Sequence, residues 1–147
     1  MKRVAVALGL GLLVIGGAGV ILSPDGAARA AIAASDRMEA EPIITPSISL
    51  DSTPMPQPKP VVLALRGAEL DRAKSWLDVR DAQGTACACE GDYRLRFSRW
   101  GVRLASFRAH LRETPAHLNG SFPIFSLENT GAHRLFASLE TARQRLK

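Results

Sequence analysis

The sequence predicts an α+β protein: an N-terminal transmembrane helix, a proline-rich linker, and a small antiparallel β-sheet domain with a C-terminal helix. Three observations support this class. Residues 4–22 carry no charge, prolines recur over residues 42–60, and the rest of the chain shows short strand-like patterns before a final amphipathic stripe. The predicted boundaries are an anchor or signal peptide at 1–23, an Ala-rich then Pro-rich linker at 24–59, and an exported domain at 60–147.

The N-terminal run gives the strongest signal. Lys2 and Arg3 precede 19 uncharged residues, Val4–Leu22. As a helix this run is about 28 Å long, close to the hydrocarbon thickness of a bilayer. The positive flank keeps the N-terminus in the cytoplasm, which predicts a single-pass protein of the bacterial inner membrane with a periplasmic C-terminal domain. The run exceeds a signal-peptide core, which favours a retained anchor, but A-x-A sequences at 28–30 and 31–33 leave cleavage open.

The predicted linker is rich first in alanine and then in proline. Alanine dominates residues 26–40, which are compatible with a short helix. Proline at every second position from 54 to 60 excludes a helix and favours a polyproline conformation. At about 3.1 Å per residue, this stretch would hold the domain roughly 50 Å from the membrane. Alternatively, the prolines form a ligand for a groove on a partner protein.

The first half of the predicted domain reads as a strand, an ambiguous segment and a hairpin. Residues 60–65 are typical of a strand, and residues 66–75 have apolar spacing that fits a short helix. Residues 76–80 and 85–89 are predicted to pair as a hairpin, because Gly84 can adopt the positive φ that closes a short turn.

The middle of the domain is predicted to be mostly strand. Residues 93–97 alternate between apolar and arginine side chains, a pattern typical of a strand with one buried face. A turn at residues 100–101 leads into a strand that begins at residue 102. From Leu104 the apolar spacing fits a helix equally well, until Thr114–Pro115 ends it.

The C-terminal segment is predicted to be a strand followed by a helix. A turn at Asn119–Gly120 precedes a short apolar strand at residues 122–127. Thr130 is the predicted N-cap of the final helix. The apolar stripe of this helix comprises Leu135, Phe136, Leu139, Ala142 and Leu146. The domain is therefore expected to have four or five strands, with the final helix, and optionally a second one, packed on the sheet.

Two cysteines carry the clearest local chemistry. On a strand, Cys87 and Cys89 would share one face with Cα atoms about 6.6 Å apart, near the upper limit for a disulfide. Two thiolates could instead hold a soft metal ion such as Cu(I). His110, His117 and His133 are further candidate ligands, but their spacing matches no metal-binding signature. Alternatively, the cysteines are two small residues on a strand with no chemical role.

Arginine dominates the charge of the predicted domain. Residues 1–59 are neutral, so the formal net charge of +5 belongs entirely to residues 60–147. Arg94, Arg96 and Arg99 are the predicted contacts with a partner, because arginines here are interleaved with aromatic residues. Export argues against nucleic acid, so an acidic surface of an envelope or inner-membrane protein complex is the expected partner. A solvated sheet face is the alternative interpretation.

No motif predicts catalysis. The chain has no G-x-S-x-G elbow, no P-loop, no H-E-x-x-H and no dinucleotide fingerprint. We therefore expect a non-enzymatic, membrane-anchored accessory or assembly protein of the envelope that docks onto a partner and needs no cofactor. The alternative is a periplasmic protein that handles copper or thiols through Cys87 and Cys89.

Overall fold

The computed structural model describes residues 23–44, 60–83, 90–120 and 124–146. These residues form an α+β domain, which confirms the predicted small antiparallel sheet and C-terminal helix. The described elements, in chain order, are α1 (Pro24–Ala34), β1 (Arg37–Pro42), β2 (Leu63–Leu65), α2 (Gly67–Trp76), β3 (Val79–Gln83), β4 (Tyr93–Arg99), β5 (Val102–His110), β6 (His117–Asn119), β7 (Ile124–Leu127) and α3 (Asn129–Gln144).

Within the described residues, the sheet has seven strands in the order β2-β1-β4-β5-β6-β7-β3, and every neighbouring pair is antiparallel. One face is apolar because successive side chains of a strand point to opposite sides. On β4, for example, Tyr93, Leu95 and Phe97 are buried, whereas Arg94 and Arg96 lie on the other face. Residues of all three described helices join the apolar face in one core.

The domain begins earlier than the sequence indicated. Residues 24–42, which the sequence predicts to be linker, form α1 and β1, and β1 lies between β2 and β4. Met38 pairs with Phe97 and Ala40 with Leu95, and both β1 residues are fully buried. The strand pattern of β1 was obscured because one of its core residues is a small alanine and prolines follow closely.

The position of β1 changes the role of the proline-rich stretch. Ala40 is paired with Leu63, so the chain leaves the sheet after β1 and rejoins it at the neighbouring strand. A segment whose two ends are fixed to adjacent strands cannot hold this domain away from a membrane. Residues 45–59 themselves lie outside the described residues, as does the apolar run at 4–22. Among the helices that are described, none is both long and apolar enough to cross a membrane.

Two further segments differ from their predicted structure. The helix allowed from Leu104 is absent, because β5 continues as a strand to His110 and buries Phe107 and Ala109 against β4. The first strand of the hairpin predicted at residues 76–80 and 85–89 starts later than expected, because Trp76 ends α2 and β3 begins at Val79. β3 pairs with β7, and the predicted second strand, residues 85–89, lies outside the described residues.

The start of α3 is two residues earlier than expected, and a different side chain caps it. The carboxylate of Glu128 accepts hydrogen bonds from the backbone N–H groups of Thr130 and Gly131. These two bonds hold the pKa of Glu128 below its usual range. Because a carboxylate also interacts favourably with the helix dipole, Glu128 serves as the N-cap instead of Thr130.

Candidate functional site

The sheet has two ends with different chemistry. We call the end at the β4–β5 turn the hairpin end; β3 and β6 also end there, and β1 and β7 begin there. We call the opposite end the histidine end, because His110 and His117 close it at the end of β5 and the start of β6.

The turn at the hairpin end has an unusual residue. Trp100 has φ +51° and Gly101 has φ +81°, as expected for a two-residue turn that follows the twist of the strands. Glycine tolerates a positive φ, but tryptophan does so only at a cost in free energy. The Oδ2 atom of Asp36 accepts a hydrogen bond of 2.9 Å from the backbone N–H of Trp100, which fixes the turn to the start of β1.

The side chains around this turn form an exposed surface that is both apolar and cationic. Trp100 is 80% exposed and Val102 65% exposed. The guanidinium of Arg99 lies 4.4 Å from the centre of the Trp100 ring. We call this surface the hairpin tip, and its members are Arg99, Trp100, Val102, Arg103 and Leu104. Its composition is typical of a contact with a lipid interface or with another protein.

The first turn of α1 lies beside the same hairpin. Pro24 and Ala27 line a shallow depression together with Leu104 and Phe107 of β5. Gly120, which follows β6 at the hairpin end, lines the same depression. The chain therefore enters the described domain at the hairpin end of the sheet.

The three predicted contact arginines are divided between two environments. Arg94 and Arg96 lie on the polar face of the sheet, where the carboxylate of Glu41 is 3.7 Å from Arg94 and 2.7 Å from Arg96. Glu39 also reaches to 4.0 Å from Arg96. These acids belong to β1, so the sequence interpretation missed a partial neutralisation of this face. Arg99 lies at the hairpin tip.

The histidine end contains a cluster of three metal-ligating side chains. His110 Nδ1 lies 2.8 Å from Glu113 Oε1, and His117 Nδ1 lies 3.9 Å from Glu113 Oε2. The two imidazole rings are stacked, with centres 4.1 Å apart and planes inclined by 12°. His110 is 1% exposed, whereas the side chain of Glu113 is 54% exposed.

Backbone pairing and two side-chain anchors position this cluster. His110 and His117 are direct partners in the β5–β6 register. After β5, the carboxylate of Asp92 accepts hydrogen bonds from the backbone N–H groups of Leu111 and Arg112. The Oδ1 atom of Asn129 accepts another from Ala116, just before β6. The loop that carries Glu113 is therefore held at both ends.

The sequence named two members of this cluster and missed the third. His110 and His117 were candidate ligands, and the structure brings them together; His133 lies exposed on α3 and is not part of the cluster. Glu113 could have been found from its place between two histidines, once β5 and β6 were known to pair. Cys87 and Cys89, the predicted ligands of the copper alternative, lie outside the described residues.

A buried tyrosine connects the sheet to α3 near the histidine end. The hydroxyl of Tyr93 donates a 2.5 Å hydrogen bond to Glu140, which also pairs with Arg143 at 3.1 Å. Burial, followed by the hydrogen bond to Glu140, raises the pKa of Tyr93. The phenol therefore remains a proton donor over the physiological range and serves to orient α3.

A groove of about 520 Å³ lies between β2, α2 and α3. Trp76 and Leu146 contribute apolar surface, and Glu69, Arg72 and Arg145 contribute charges. All three charged residues are exposed. The groove therefore offers a surface for packing but no buried titratable group for chemistry.

Comparisons with protein-family models, with curated proteins and with solved structures found no match for this chain. Function is therefore inferred from the residues at the two ends of the sheet.

Proposed function

We propose that the chain is a membrane-anchored accessory protein of the bacterial envelope, with a periplasmic domain and no catalytic role. In this proposal the hairpin tip rests on the lipid interface and the polar face of the sheet docks onto a partner. The observation that carries it is the position of Ser23, the first residue that the structure describes. Ser23 follows the predicted anchor, residues 4–22, directly, and the chain enters the domain at the hairpin end.

The chemistry of the hairpin tip suits a membrane surface. Tryptophan favours the boundary between headgroups and acyl chains because its ring is largely apolar and its N–H needs a polar partner. Arg99 and Arg103 can lay their apolar stems against this boundary while their guanidinium groups remain among the headgroups. Each arginine near an anionic surface contributes about 1 kcal/mol of attraction.

Tryptophan quenching tests the orientation of the domain. The full chain is reconstituted into phosphatidylglycerol-containing vesicles with brominated acyl chains, which quench nearby indoles. Trp76 and Trp100 are the only tryptophans, so Trp76→Phe isolates Trp100. We expect strong quenching of Trp100 in this variant. In the matched Trp100→Phe variant, Trp76 lines the groove and should be quenched much less. Equal quenching of the two residues, or none of Trp100, would contradict the proposal.

Topology is tested separately with reporter enzymes fused after Lys147. A reporter that is active only in the periplasm should be active, and one that needs the cytoplasm should be silent. The reverse pattern would contradict the proposed localisation. N-terminal sequencing of the mature chain would identify a cleaved signal peptide if the first residue lies near 31–35.

The docking role of the polar face rests on its exposed arginines. Arg108 lies opposite Arg94 in the β4–β5 register and is exposed, so this face keeps a basic side beyond the ion pairs of β1. Such a surface complements an acidic partner. Cross-linking in cells should give an adduct that is lost in an Arg94→Gln, Arg96→Gln variant. Arg134→Gln, on the exposed side of α3, is the matched control and should retain it. If the adduct is lost in both variants, or in neither, the polar face is not the docking surface.

A further inference from the structure

We infer that His110, Glu113 and His117 form a binding site for one divalent transition-metal ion of the zinc class. The site lies at the histidine end, so it is independent of the proposed membrane contact at the hairpin end. Its donor set is two imidazoles and one carboxylate. These groups suit Zn²⁺, Co²⁺, Ni²⁺ or Cu²⁺, whereas the paired thiolates of the sequence hypothesis favour Cu(I).

The geometry is close to that of a coordination sphere. The ligand atoms of the three side chains all lie within 4.8 Å of one another. Bonds of about 2.1 Å to a tetrahedral ion place ligand atoms roughly 3.4 Å apart. The ligand atoms must therefore approach one another by up to about 1.4 Å, and the stacked rings must separate slightly. Glu113 can supply much of this movement, because 54% of its side chain is exposed. The same opening gives water access to the remaining coordination positions.

One nitrogen of the buried His110 ring faces the cluster. Nδ1 lies 2.8 Å from Glu113 Oε1, and the residue is 1% exposed. The other nitrogen, Nε2, is buried and has no hydrogen-bond partner among the described residues. A metal bond at Nδ1 would place the ring proton on Nε2 and leave Nε2 unpaired, so the case for the site rests on the position of Nδ1 among the three ligand atoms.

The site is also organised before any ligand binds. Adjacent strands fix the two histidines, and Asp92 and Asn129 hold the ends of the loop that carries Glu113. Residues held in this way lose little conformational freedom when they bind an ion. The other histidine, His133, is exposed on α3 and supplies a matched control.

Cobalt titration of the purified full chain tests the inference. We expect one Co²⁺ per chain, with visible d–d absorption, displacement by Zn²⁺, and no sulfur-to-cobalt charge-transfer band. A Cys87→Ser, Cys89→Ser variant should bind Co²⁺ as the wild type does. If that variant loses binding, the ion belongs to the thiolates and the inference fails. Absence of a saturable signal in the wild type would also overturn it.

Substitutions of the ligands provide the decisive comparison. Loss of a residue that only orients a metal ligand commonly lowers affinity by about 10–100-fold, so loss of a ligand should cost at least as much. His117→Ala and Glu113→Gln should each weaken Co²⁺ binding by at least about tenfold, and His133→Ala should leave it unchanged. Glu113→Gln alters an exposed side chain, so this variant should fold even if replacement of a histidine disturbs the sheet. Unchanged affinity in Glu113→Gln and His117→Ala would rule out the site.

Discussion

The two ends of the sheet use opposite means to place functional side chains. At the hairpin end, a two-residue turn exposes Trp100 to solvent, and a hydrogen bond to Asp36 holds the turn against the sheet. At the histidine end, a longer loop is tied down by Asp92 and Asn129, and His110 is enclosed. A protruding, exposed turn suits contact with a surface, whereas an enclosed and anchored cluster suits a small ligand.

The largest expected effect comes from removing the elements that both ends share. Deleting residues 24–42 should abolish cooperative unfolding, because β1 separates β2 from β4 and Ile32 and Met38 belong to the core. Each such side chain contributes about 1.5–3 kcal/mol, against a total stability of about 5–15 kcal/mol for a typical domain. Circular dichroism during thermal unfolding measures the loss.

The matched control shortens residues 45–59 to a brief Gly/Ser loop. This variant should retain a cooperative transition, because these residues connect neighbouring strands. A cooperative transition at the wild-type temperature in the 24–42 deletion would show that the domain starts near residue 60.

The second prediction compares Asp92, which anchors the loop at the histidine end, with Asp36, which anchors the turn at the hairpin end. The Asp92 carboxylate accepts hydrogen bonds from two backbone N–H groups and pairs with Arg112 at 2.6 Å, whereas the described hydrogen bond of the Asp36 carboxylate comes from Trp100. Asp92→Ala should cost about 2–4 kcal/mol and Asp36→Ala about 0.5–1.5 kcal/mol, because Asp92 loses several contacts together whereas Asp36 loses one solvent-exposed hydrogen bond. Urea unfolding at pH 7 measures both. Similar losses would mean that the two ends are anchored equally.

A smaller effect at the histidine end depends on pH. Hydrogen bonds from the backbone N–H groups of Gly131 and, with a smaller effect, of Thr130 lower the pKa of Glu128 in the folded state. A lowered pKa stabilises the fold above the unfolded value, about 4.3, and this stabilisation disappears as the pH falls through the folded value. Glu128→Ala should therefore lower the melting temperature at pH 7 and progressively less below pH 4. The control is Glu69→Ala, at an exposed position. If Glu128→Ala lowers the melting temperature by the same amount at every pH, ionised Glu128 does not stabilise the fold in this way.

The sequence predicted what depends on local pattern and missed what depends on register. The alternation at residues 93–97 identified β4, because a strand with one buried face has a period of two. It did not identify β1, whose buried positions are Met38, the small Ala40 and Pro42, a residue that is uncommon inside strands. His110 and His117 were named as ligands, but their contact depends on β5 continuing as a strand to meet β6. The spacing of residues along the chain does not reveal which distant strands pair.

The smallest effect separates function from stability at the hairpin tip. Trp100 holds φ +51°, a conformation that asparagine tolerates better and that favours Asn-Gly in turns of this kind. Trp100→Asn should therefore stabilise the fold by about 0.5–1 kcal/mol. Trp100→Ala is the control, because it removes the ring and its contact with Arg99 but retains the unfavourable φ.

Urea unfolding should show that the asparagine variant is more stable than both the alanine variant and the wild type. If alanine stabilises the fold as much as asparagine, the cost lies in exposing the ring and not in the backbone. If neither variant is more stable than the wild type, Trp100 imposes no measurable cost on the stability of the turn. A functional role is then not needed to explain why tryptophan occupies this position.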